Sequence, residues 1–245
     1  MTPLPQRQGI PCHPQGVSSE LSWEAPPGLP WPSSSKEMNQ TERKDAGLIY
    51  DPQVPELMEE QARRLELLYE FNQTRPSQWE KRQELMQKMF GSLGKGCYLE
   101  PPFHANWGGM NVFLGDNVYG NFNLTLVDDG RIYVGDNVMF GPNVTVATPN
   151  HPILPLLRGP RPLQYNRDVH IGKNVWIGAN SVILPGVTIG ENTVVGAGSV
   201  VVKDLPSNVV AVGNPCHVMR PIGKRDEEFY FRQEAIDWEN LPPRH

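Results

Sequence analysis

An aliphatic residue opens every six-residue unit along much of the second half of the chain, and glycine and asparagine often take the second and fourth places. This period fits neither the 3.6-residue repeat of an α-helix nor the two-residue alternation of a long strand. It is typical of a short strand followed by a turn, and three such units close a triangular rung of about eighteen residues. Glycine and asparagine suit the corners because both tolerate positive φ. The units begin at Ile171, Ile177, Ile183, Ile189, Val195 and Val201, and upstream at Leu114, Val134 and Phe140.

The period predicts a mainly β fold, a parallel β-helix of hexapeptide repeats over residues 97–215. With a non-repetitive loop at 149–168 set aside, the stretch from Tyr98 to Pro215 has room for about five rungs. A β-sandwich is the alternative, but its strands do not keep a strict six-residue register. The period leaves the hand of the coil open.

Upstream of the repeats, the apolar spacing changes to that of helices. Between Pro55 and Phe90, apolar residues recur at intervals of three to five, and Pro76 interrupts the pattern. This spacing predicts two short amphipathic helices. We therefore expect a small N-terminal helical segment at 38–96 that packs as a lid or cap.

The two ends of the chain show neither pattern. Residues 1–37 are rich in proline and serine and have too little apolar surface to offset the chain entropy lost on folding, so we expect a disordered extension. A start of translation at Met38 is the alternative. Residues 216–245 form a tail rich in charged and aromatic residues, to which the sequence assigns no role.

Composition excludes several classes of function. The chain has 22 lysines and arginines against 27 aspartates and glutamates, so no overall basic field would hold nucleic acid or an anionic membrane. No apolar stretch approaches the ~20 residues that span a bilayer, and no secretory leader is evident, which favours a cytoplasmic protein. Cys12, Cys97 and Cys216 are too widely spaced to indicate disulfides or zinc. Because no two histidines have the HxxxxH spacing, we also expect no histidine-bound metal.

Several motifs accompany the hexapeptide repeats: segments 69–72, 100–102, 121–129 and 213–216, and the pair His151 and Pro152. Together these motifs resemble one family, the maltose and galactoside O-acetyltransferases. The resemblance covers about residues 39–222. It implies a left-handed coil, a homotrimer with active sites in the clefts between neighbouring prisms, acetyl-CoA as acyl donor, and a sugar acceptor of the maltose, glucose or galactoside type.

The loop at 149–168 holds the candidate catalytic residue, His151. A regular solenoid has no structural reason to interrupt itself with a long loop, and such loops are usually functional. Acetyl transfer to a hydroxyl needs a base that titrates near neutral pH, which favours histidine. A solvated loop histidine is the alternative reading from position alone.

Three polar residues, Asp51, Asn121 and Asp129, match family positions that contact the sugar, and Asn106 falls where the family often has a small polar residue. A sugar needs side chains that donate and accept several hydrogen bonds, and amides and carboxylates do both. Asp129 has the alternative role of a turn residue before Gly130, and Asn121 that of an ordinary corner asparagine. The candidate acceptor contacts are Asp51, Asn106, Asn121 and Asp129.

The resemblance also assigns residues to acetyl-CoA. Two of the positions depart from the family: His217 stands where similar enzymes often carry arginine, and Val202 where they often carry threonine. Small residues at Ala179 and Ala197 would equally suit crowded corners. The predicted donor contacts are Trp176, Ala179, Ala197, His217 and Arg220.

The mechanism expected from these residues is direct attack. His151 would remove the hydroxyl proton, and the backbone amide of Ala179 would stabilise the tetrahedral oxyanion. No serine or cysteine with a paired base is evident, so we expect a ternary complex rather than an acyl-enzyme. The alternatives are an acyltransferase of the same fold acting on an antibiotic, serine or a nucleotide-sugar amine, and a non-catalytic β-solenoid.

Overall fold

The structure, a computed structural model, describes residues 38–242. The segment 1–37, for which the sequence predicts disorder, lies outside the described residues, as do 243–245. The described part of the chain is a parallel β-helix with helices before it and a short tail after it. The predicted fold class, a mainly β left-handed parallel β-helix with a small N-terminal helical segment, is confirmed.

Three parallel sheets form the three sides of the coil. Successive strands along the chain go to successive sheets, so that three strands make one rung. The first sheet contains β1 (Ser92–Leu93), β4 (Val112–Leu114), β7 (Ile132–Val134), β12 (Val169–Ile171) and β15 (Thr188–Ile189). The second contains β2 (Tyr98–Leu99), β5 (Tyr119–Gly120), β8 (Met139–Phe140), β13 (Trp176–Ile177), β16 (Val194–Val195) and β18 (Val209–Gly213). The third contains β3 (His104–Ala105), β6 (Thr125–Val127), β9 (Thr145–Ala147), β14 (Val182–Ile183) and β17 (Val200–Val201).

These strands make five complete rungs and the start of a sixth. The first strand, β1, begins at Ser92, ahead of residue 97, where the repeats suggested that the coil begins. Its pairing with β4 places it in the first sheet, so the coil reaches further toward the helices than the hexapeptide pattern indicates.

Aliphatic side chains at the opening positions of the repeats fill the interior. Val146, Ile177, Ile183, Val195 and Val201 are fully buried. Each strand is short, and alternate side chains point inward, so equivalent residues of neighbouring rungs stack directly on one another. Burial of these stacked side chains is the main stabilising contribution to a coil of this kind.

Asparagines form ladders along the corners. In one ladder the side-chain amide of Asn137 donates to Asn174 at 3.0 Å, and Asn174 donates to Asn192 at 2.8 Å. Each of these residues has positive φ, which asparagine tolerates better than most residues do. The full ladder runs through Asn117, Asn137, Asn174, Asn192 and Asn208, and a second through Asn123, Asn143 and Asn180.

The glycines at the second place of each repeat serve a different purpose from the one expected. They do not have positive φ; the fourth-place glycines Gly186 and Gly198 do. A Cβ on Gly135 would lie 2.6 Å from the backbone nitrogen of Lys173 in the next rung. Second-place glycine is therefore required by the close approach of successive rungs and not by its own backbone conformation.

The loop at 149–168 leaves the coil and returns to the same corner. Asn174 and Asn192 are 18 residues apart, whereas Asn137 and Asn174 are 37 apart because the loop lies between them. Its ends pair as antiparallel strands, β10 (Pro149–Asn150) and β11 (Tyr165–Asn166), with a 3-10 turn at Pro155–Arg158 between them. The loop thus starts and ends at the carboxyl edge of the third sheet, directly after β9.

Three helices precede the coil: α1 (Gln40–Asp45), α2 (Pro55–Asn72) and α3 (Trp79–Met89). Helices α2 and α3 match the two predicted from the apolar spacing, whereas α1 was not predicted. Phe71 and Met86 are fully buried in the same apolar cluster as Phe103 of the first rung, so α2 and α3 cover the open end of that rung. The helices therefore protect a core that would otherwise meet water.

After the coil, β19 (Cys216–Pro221) returns antiparallel to β18. It is followed by α4 (Lys224–Glu228) and a hairpin of β20 (Phe229–Phe231) and β21 (Glu234–Ala235). Within residues 38–242, no helix has the length and apolar character needed to cross a bilayer.

Candidate active site

His151 follows β10 at the start of the loop and is exposed in the single chain. Its Nδ1 lies 2.7 Å from the carbonyl oxygen of Leu163, near the end of the same loop. A carbonyl oxygen only accepts, so Nδ1 must carry a hydrogen, and the neutral ring keeps its lone pair on Nε2. Its backbone nitrogen also donates to Asn150 Oδ1 at 2.9 Å. The loop therefore holds this imidazole in the tautomer that a general base requires.

Asn106 and Asp129 form a direct pair at the same edge of the third sheet. Asn106 follows β3 and Asp129 follows β6, just as the loop with His151 follows β9. The amide nitrogen of Asn106 donates to both carboxylate oxygens of Asp129, at 3.0 and 2.8 Å. Asp129 is buried, whereas Asn106 is exposed.

Gln164 and Tyr50 complete this network, and the sequence did not indicate either residue. Gln164 Nε2 donates to Asp129 Oδ1 at 2.9 Å and to the Tyr50 hydroxyl at 2.7 Å. Burial, with the nearby charge of Asp129, raises the pKa of Tyr50, so the phenol stays neutral. Because Leu163 precedes Gln164, one short segment of the loop contacts both the His151 ring and Asp129. No spacing or motif marks Gln164, so only its contacts show its role.

Asp51 lies against the loop and not in open solvent. Its carboxylate pairs with the guanidinium of Arg161, and its Oδ1 accepts from the backbone nitrogen of Gln53 at 2.9 Å. The Asp51 side chain is mostly buried. Its ion pair with Arg161 connects the segment after α1 to the second half of the loop. Asp51 thus belongs to the same region as His151, Asn106 and Asp129, but its charge is already engaged with Arg161.

Asp128 has a structural role distinct from that of its neighbour. Its buried carboxylate accepts from the backbone nitrogens of Trp107, Gly109 and Asn111, at 2.7, 3.1 and 3.3 Å. Burial raises the pKa of Asp128 to about 6, although the hydrogen bonds from the Trp107 and Asn111 nitrogens act in the opposite direction. Asp128 shapes the segment that follows Asn106.

Asn121 lies elsewhere. It precedes β6, at the amino edge of the third sheet, and its Oδ1 accepts from the backbone nitrogen of Phe122 at 2.8 Å. Its φ is not positive, unlike that of Asn123, so Asn121 is not one of the ladder asparagines. The structure leaves its amide nitrogen without an acceptor within residues 38–242.

Two of the residues assigned to acetyl-CoA lie at the same corner of the coil as Asn121, two and three rungs further along. Ala179 and Ala197 precede β14 and β17 at the amino edge of the third sheet, and Gly198 donates to the Ala179 carbonyl at 2.8 Å. The Ala179 amide has no acceptor in the described part of the chain. Trp176 projects from the second sheet and is 50% exposed.

His217 and Arg220 lie on β19, beside β18. His217 is exposed. Arg220 donates two hydrogen bonds of 2.7 Å to the Asp226 carboxylate, which lower the pKa of Asp226 to about 2. The guanidinium is therefore already paired with an anion in the single chain.

The site residues thus fall at opposite edges of one sheet. His151, Asn106 and Asp129 follow strands of the third sheet, whereas Asn121, Ala179 and Ala197 precede them. Four or five residues of strand, each rising ~3.3 Å, separate the edges by about 15 Å. Reacting atoms must come within about 3.5 Å, so the two groups of one chain do not form one site by themselves.

A cavity of about 230 Å³ borders Asp129. Lys44 contributes to it from α1, with its ammonium 4.4 Å from the centre of the Trp107 ring. Neither His151 nor Asn106 lines this cavity. Its lining includes Lys44, Asn111, Asp129, Arg131, Arg167 and Asp168. Within residues 38–242, no three histidine, cysteine, aspartate or glutamate side chains are placed to hold a metal ion.

Comparison with known families identifies two models in this chain. One, described as the maltose acetyltransferase hexapeptide capping motif, matches residues 44–94, and so spans α2 and α3. The other, described as bacterial transferase hexapeptide (six repeats), matches residues 168–203 of the coil.

Similar proteins and structures match most of the chain. Galactoside O-acetyltransferase of Lactococcus lactis subsp. lactis is 52% identical over 77% of this chain and 91% of its own length. Galactoside O-acetyltransferase of Escherichia coli K12 is 46% identical over 82% of this chain and 98% of its own length. A galactoside acetyltransferase solved in complex with coenzyme A is 46% identical over 82% of this chain and 99% of its own, with a TM-score of 0.79. The structure of a maltose O-acetyltransferase from Clostridium difficile 630 is 40% identical over 77% of this chain and 100% of its own, with a TM-score of 0.74.

Proposed function

This chain belongs to the family of maltose and galactoside O-acetyltransferases, and from that premise we propose that it acetylates a sugar hydroxyl with His151 as general base. The protein is an acetyl-CoA-dependent acetyltransferase. The proposal concerns the base and the acceptor, which is a sugar of the maltose, glucose or galactoside type. Membership of an enzyme family argues against the alternative of a non-catalytic solenoid.

The contact between His151 Nδ1 and the Leu163 carbonyl carries the proposal. It directs the lone pair of Nε2 outward, where a sugar hydroxyl could donate to it. As the hydroxyl oxygen attacks the thioester carbonyl, its proton passes to Nε2, and the carbon–sulfur bond then breaks to release the CoA thiolate. The imidazolium returns its proton to that thiolate, so His151 ends the cycle neutral.

Direct transfer agrees with the chemistry of the cysteines in the described chain. Cys97 is buried, and burial raises the pKa of its thiol. The pKa of the half-buried Cys216 is raised for the same reason. Neither thiol has the lowered pKa of an activated nucleophile. We therefore assign a ternary complex in which the sugar attacks acetyl-CoA directly.

The donor side of the site is assigned to the amino edge of the third sheet and to β19. The free amide of Ala179 is suited to the oxyanion, and Trp176, Ala197 and His217 would contact the rest of acetyl-CoA. Arg220 would meet a CoA phosphate while sharing its charge with Asp226.

A homotrimer would join the two edges. In a cyclic trimer each chain offers its carboxyl edge to one neighbour and its amino edge to the other, so three complete sites form. Exposed aliphatic side chains on the loop support this arrangement: Ile153 is 89% exposed, and Leu154 and Leu156 are also exposed in the single chain.

The test is an acceptor panel of maltose, glucose, galactosides, chloramphenicol and serine, with acetyl-CoA consumption as the readout. A sugar should be the best acceptor, and the initial rates should give intersecting double-reciprocal lines. Parallel lines would indicate an acyl-enzyme, and a preference for chloramphenicol or serine would assign another acceptor class.

His151→Ala should lower kcat by about two to four orders of magnitude, because the base is lost. His170→Ala is a matched control. His170 lies on the first sheet, away from the proposed site, and its ring stacks on that of Tyr133 with 4.8 Å between the ring centres. Near-normal turnover of His151→Ala would refute the assignment of the base.

A further inference from the structure

We propose that Tyr50 is a positioning residue for His151 and that it acts through the single peptide group that joins Leu163 to Gln164. The N–H of this peptide group donates to the Tyr50 carbonyl oxygen at 3.0 Å, and its C=O accepts from Nδ1 of His151 at 2.7 Å. This inference rests on the proposed function, and it names the contact that keeps the base in the tautomer that the reaction requires.

The two hydrogen bonds depend on each other because the peptide group is rigid. Its atoms lie close to one plane, and in this trans peptide the C=O and the N–H point in opposite directions. A rotation that broke the contact to Tyr50 would also turn the carbonyl away from His151. A hydrogen bond at the N–H further polarises the carbonyl and makes it a better acceptor. Tyr50 therefore fixes both the direction and the strength of the acceptor that the imidazole meets.

Tyr50 is itself held by the helices and by a small apolar core. Its side chain is 2% exposed and packs in one cluster with Leu57 of α2 and Trp107. The carbonyl of the preceding residue, Ile49, accepts from Arg43 of α1 at 2.7 Å. The Tyr50 carbonyl thus has a fixed position relative to the body of the chain, and the loop is aligned to it.

The hairpin of the loop stops short of this peptide group. The pairing of β10 with β11 ends at Asn150 and Tyr165. Gln164, the next residue toward the tip of the loop, pairs instead with Tyr50 as an antiparallel bridge, with backbone hydrogen bonds of 2.8 and 3.0 Å. Tyr50 therefore extends the order of the hairpin to the peptide group that meets the imidazole.

An ion pair anchors the same part of the loop to the same segment. Arg161, two residues before Leu163, pairs with the carboxylate of Asp51, and the Asp51 nitrogen donates to Gln40 of α1 at 2.8 Å. The Arg161 side chain is 63% exposed, so water screens the pair and its contribution is modest. The ion pair helps to place Leu163, but the direction of its carbonyl depends on Tyr50.

The tautomer of His151 decides whether the ring can act as a base. The hydrogen bond made by one ring nitrogen sets which nitrogen carries the hydrogen. A ring with its hydrogen on Nε2 cannot accept the hydroxyl proton there, so only the Nδ1–H tautomer is competent. Loss of the contact to Tyr50 should therefore lower the competent fraction and reduce kcat, with little effect on the binding of acetyl-CoA.

The experiment compares Gln164→Pro with Gln164→Ala. Proline has no backbone N–H but leaves an amide carbonyl on Leu163, so Gln164→Pro removes only the backbone donor to Tyr50. Gln164→Ala is the matched reference, because it loses the same side chain and keeps the N–H. We expect kcat of Gln164→Pro to be about five- to tenfold lower than that of Gln164→Ala, with the KM for acetyl-CoA unchanged within about twofold.

Nitrogen NMR of the full chain with isotopically labelled histidine reads the tautomer directly at alkaline pH. The His151 signals are those absent from His151→Ala. The hydrogen should be on Nδ1 in Gln164→Ala and should move in part to Nε2 in Gln164→Pro. An unchanged tautomer in Gln164→Pro, or a kcat equal to that of Gln164→Ala, would each overturn the proposal.

Arg161→Ala covers the case in which Gln164→Pro does not fold, since it changes an exposed side chain. It should lower kcat about two- to threefold and move the His151 hydrogen in the same direction. Arg161→Lys keeps the ion pair with Asp51 and should restore both readouts. A rise confined to the KM for the acceptor would show that Arg161 acts on Asp51 and not on the base, which would also overturn the proposal.

Arg158→Ala is the control for Arg161→Ala. Arg158 lies in the same loop, donates to the Ile153 carbonyl at 3.1 Å and makes no hydrogen bond to residues 47–51. Its kcat and its His151 tautomer should match the wild type, and equal effects of the two variants would refute the role of the segment at Tyr50. Near-normal turnover of His151→Ala would instead defeat the proposed function, and the NMR comparison would still decide whether Tyr50 sets the tautomer.

Discussion

Two adjacent carboxylates, Asp128 and Asp129, are both buried but bind different partners. Asp128 accepts only backbone N–H groups, from the segment after Asn106, whereas Asp129 accepts only side-chain donors. A turn pair before Gly130 would have left both carboxylates near solvent. Asp128 instead shapes the segment that carries Asn106, and Asp129 orients its amide.

The raised pKa of Asp128 predicts a pH dependence of stability. Its pKa rises from 3.8 to about 6 on folding, so its protonated form stabilises the fold at low pH. That contribution is present below pH 3.8 and is lost as pH rises through about 6. Between pH 4 and 7 the free energy of unfolding of the wild type should therefore lose about 3 kcal/mol more than that of Asp128→Asn, which lacks this titration.

Urea unfolding of both proteins at several pH values measures this difference. The Asp128→Asn variant should be less stable than the wild type at low pH, because its NH₂ group faces a backbone donor. Parallel pH profiles for the two proteins would contradict the prediction.

At the scale of the strands and corners, the rungs stack too closely for a side chain at the second place of a repeat. This explains why glycine recurs there although its φ is not positive. The asparagine ladders meet the other requirement of the corners, since they combine positive φ with hydrogen bonds between rungs. Both features follow from the same short spacing between rungs.

Gly135→Ala should destabilise the coil. The new Cβ would lie 2.6 Å from the Lys173 nitrogen, which is backbone and cannot move aside without separating two rungs. Overpacking of this kind typically costs about 1–3 kcal/mol, so thermal unfolding should shift down by several degrees. In Gly223→Ala, the control, a Cβ meets no atom within 4 Å. Equal melting temperatures for the two variants would show that the rungs adjust freely.

At the level of the assembly, the separation between the two edges of the third sheet means that the proposed site needs a second copy of the chain. His151 and Asn121 of one chain lie at opposite edges, so the proposed site takes one from each of two chains. The exposed aliphatic residues of the loop lie next to His151, where that partner would pack.

Mixed assemblies test this requirement. Subunits carrying His151→Ala should be nearly inactive alone, and subunits carrying Asn121→Ala should keep about a tenth of wild-type activity, because one polar contact to the sugar is lost. Mixed after reversible dissociation or by co-expression in equal amounts, they should recover about a quarter of wild-type activity, because about a quarter of the sites then combine the two intact residues. A mixture no more active than its components would place the whole site within one chain.

The six-residue period by itself determined the coil and the position of the interrupting loop, and the three- to five-residue apolar spacing upstream determined the helical character of the segment before it. These features depend on local, repeated spacing, which a linear pattern records directly. Resemblance to a family added His151 and the candidate ligand contacts. Only the tertiary structure decided which side chains these residues contact, because their partners are distant in sequence. Asn106 meets Asp129 across 23 residues and Gln164 meets Tyr50 across 114, and no periodicity encodes contacts of that kind.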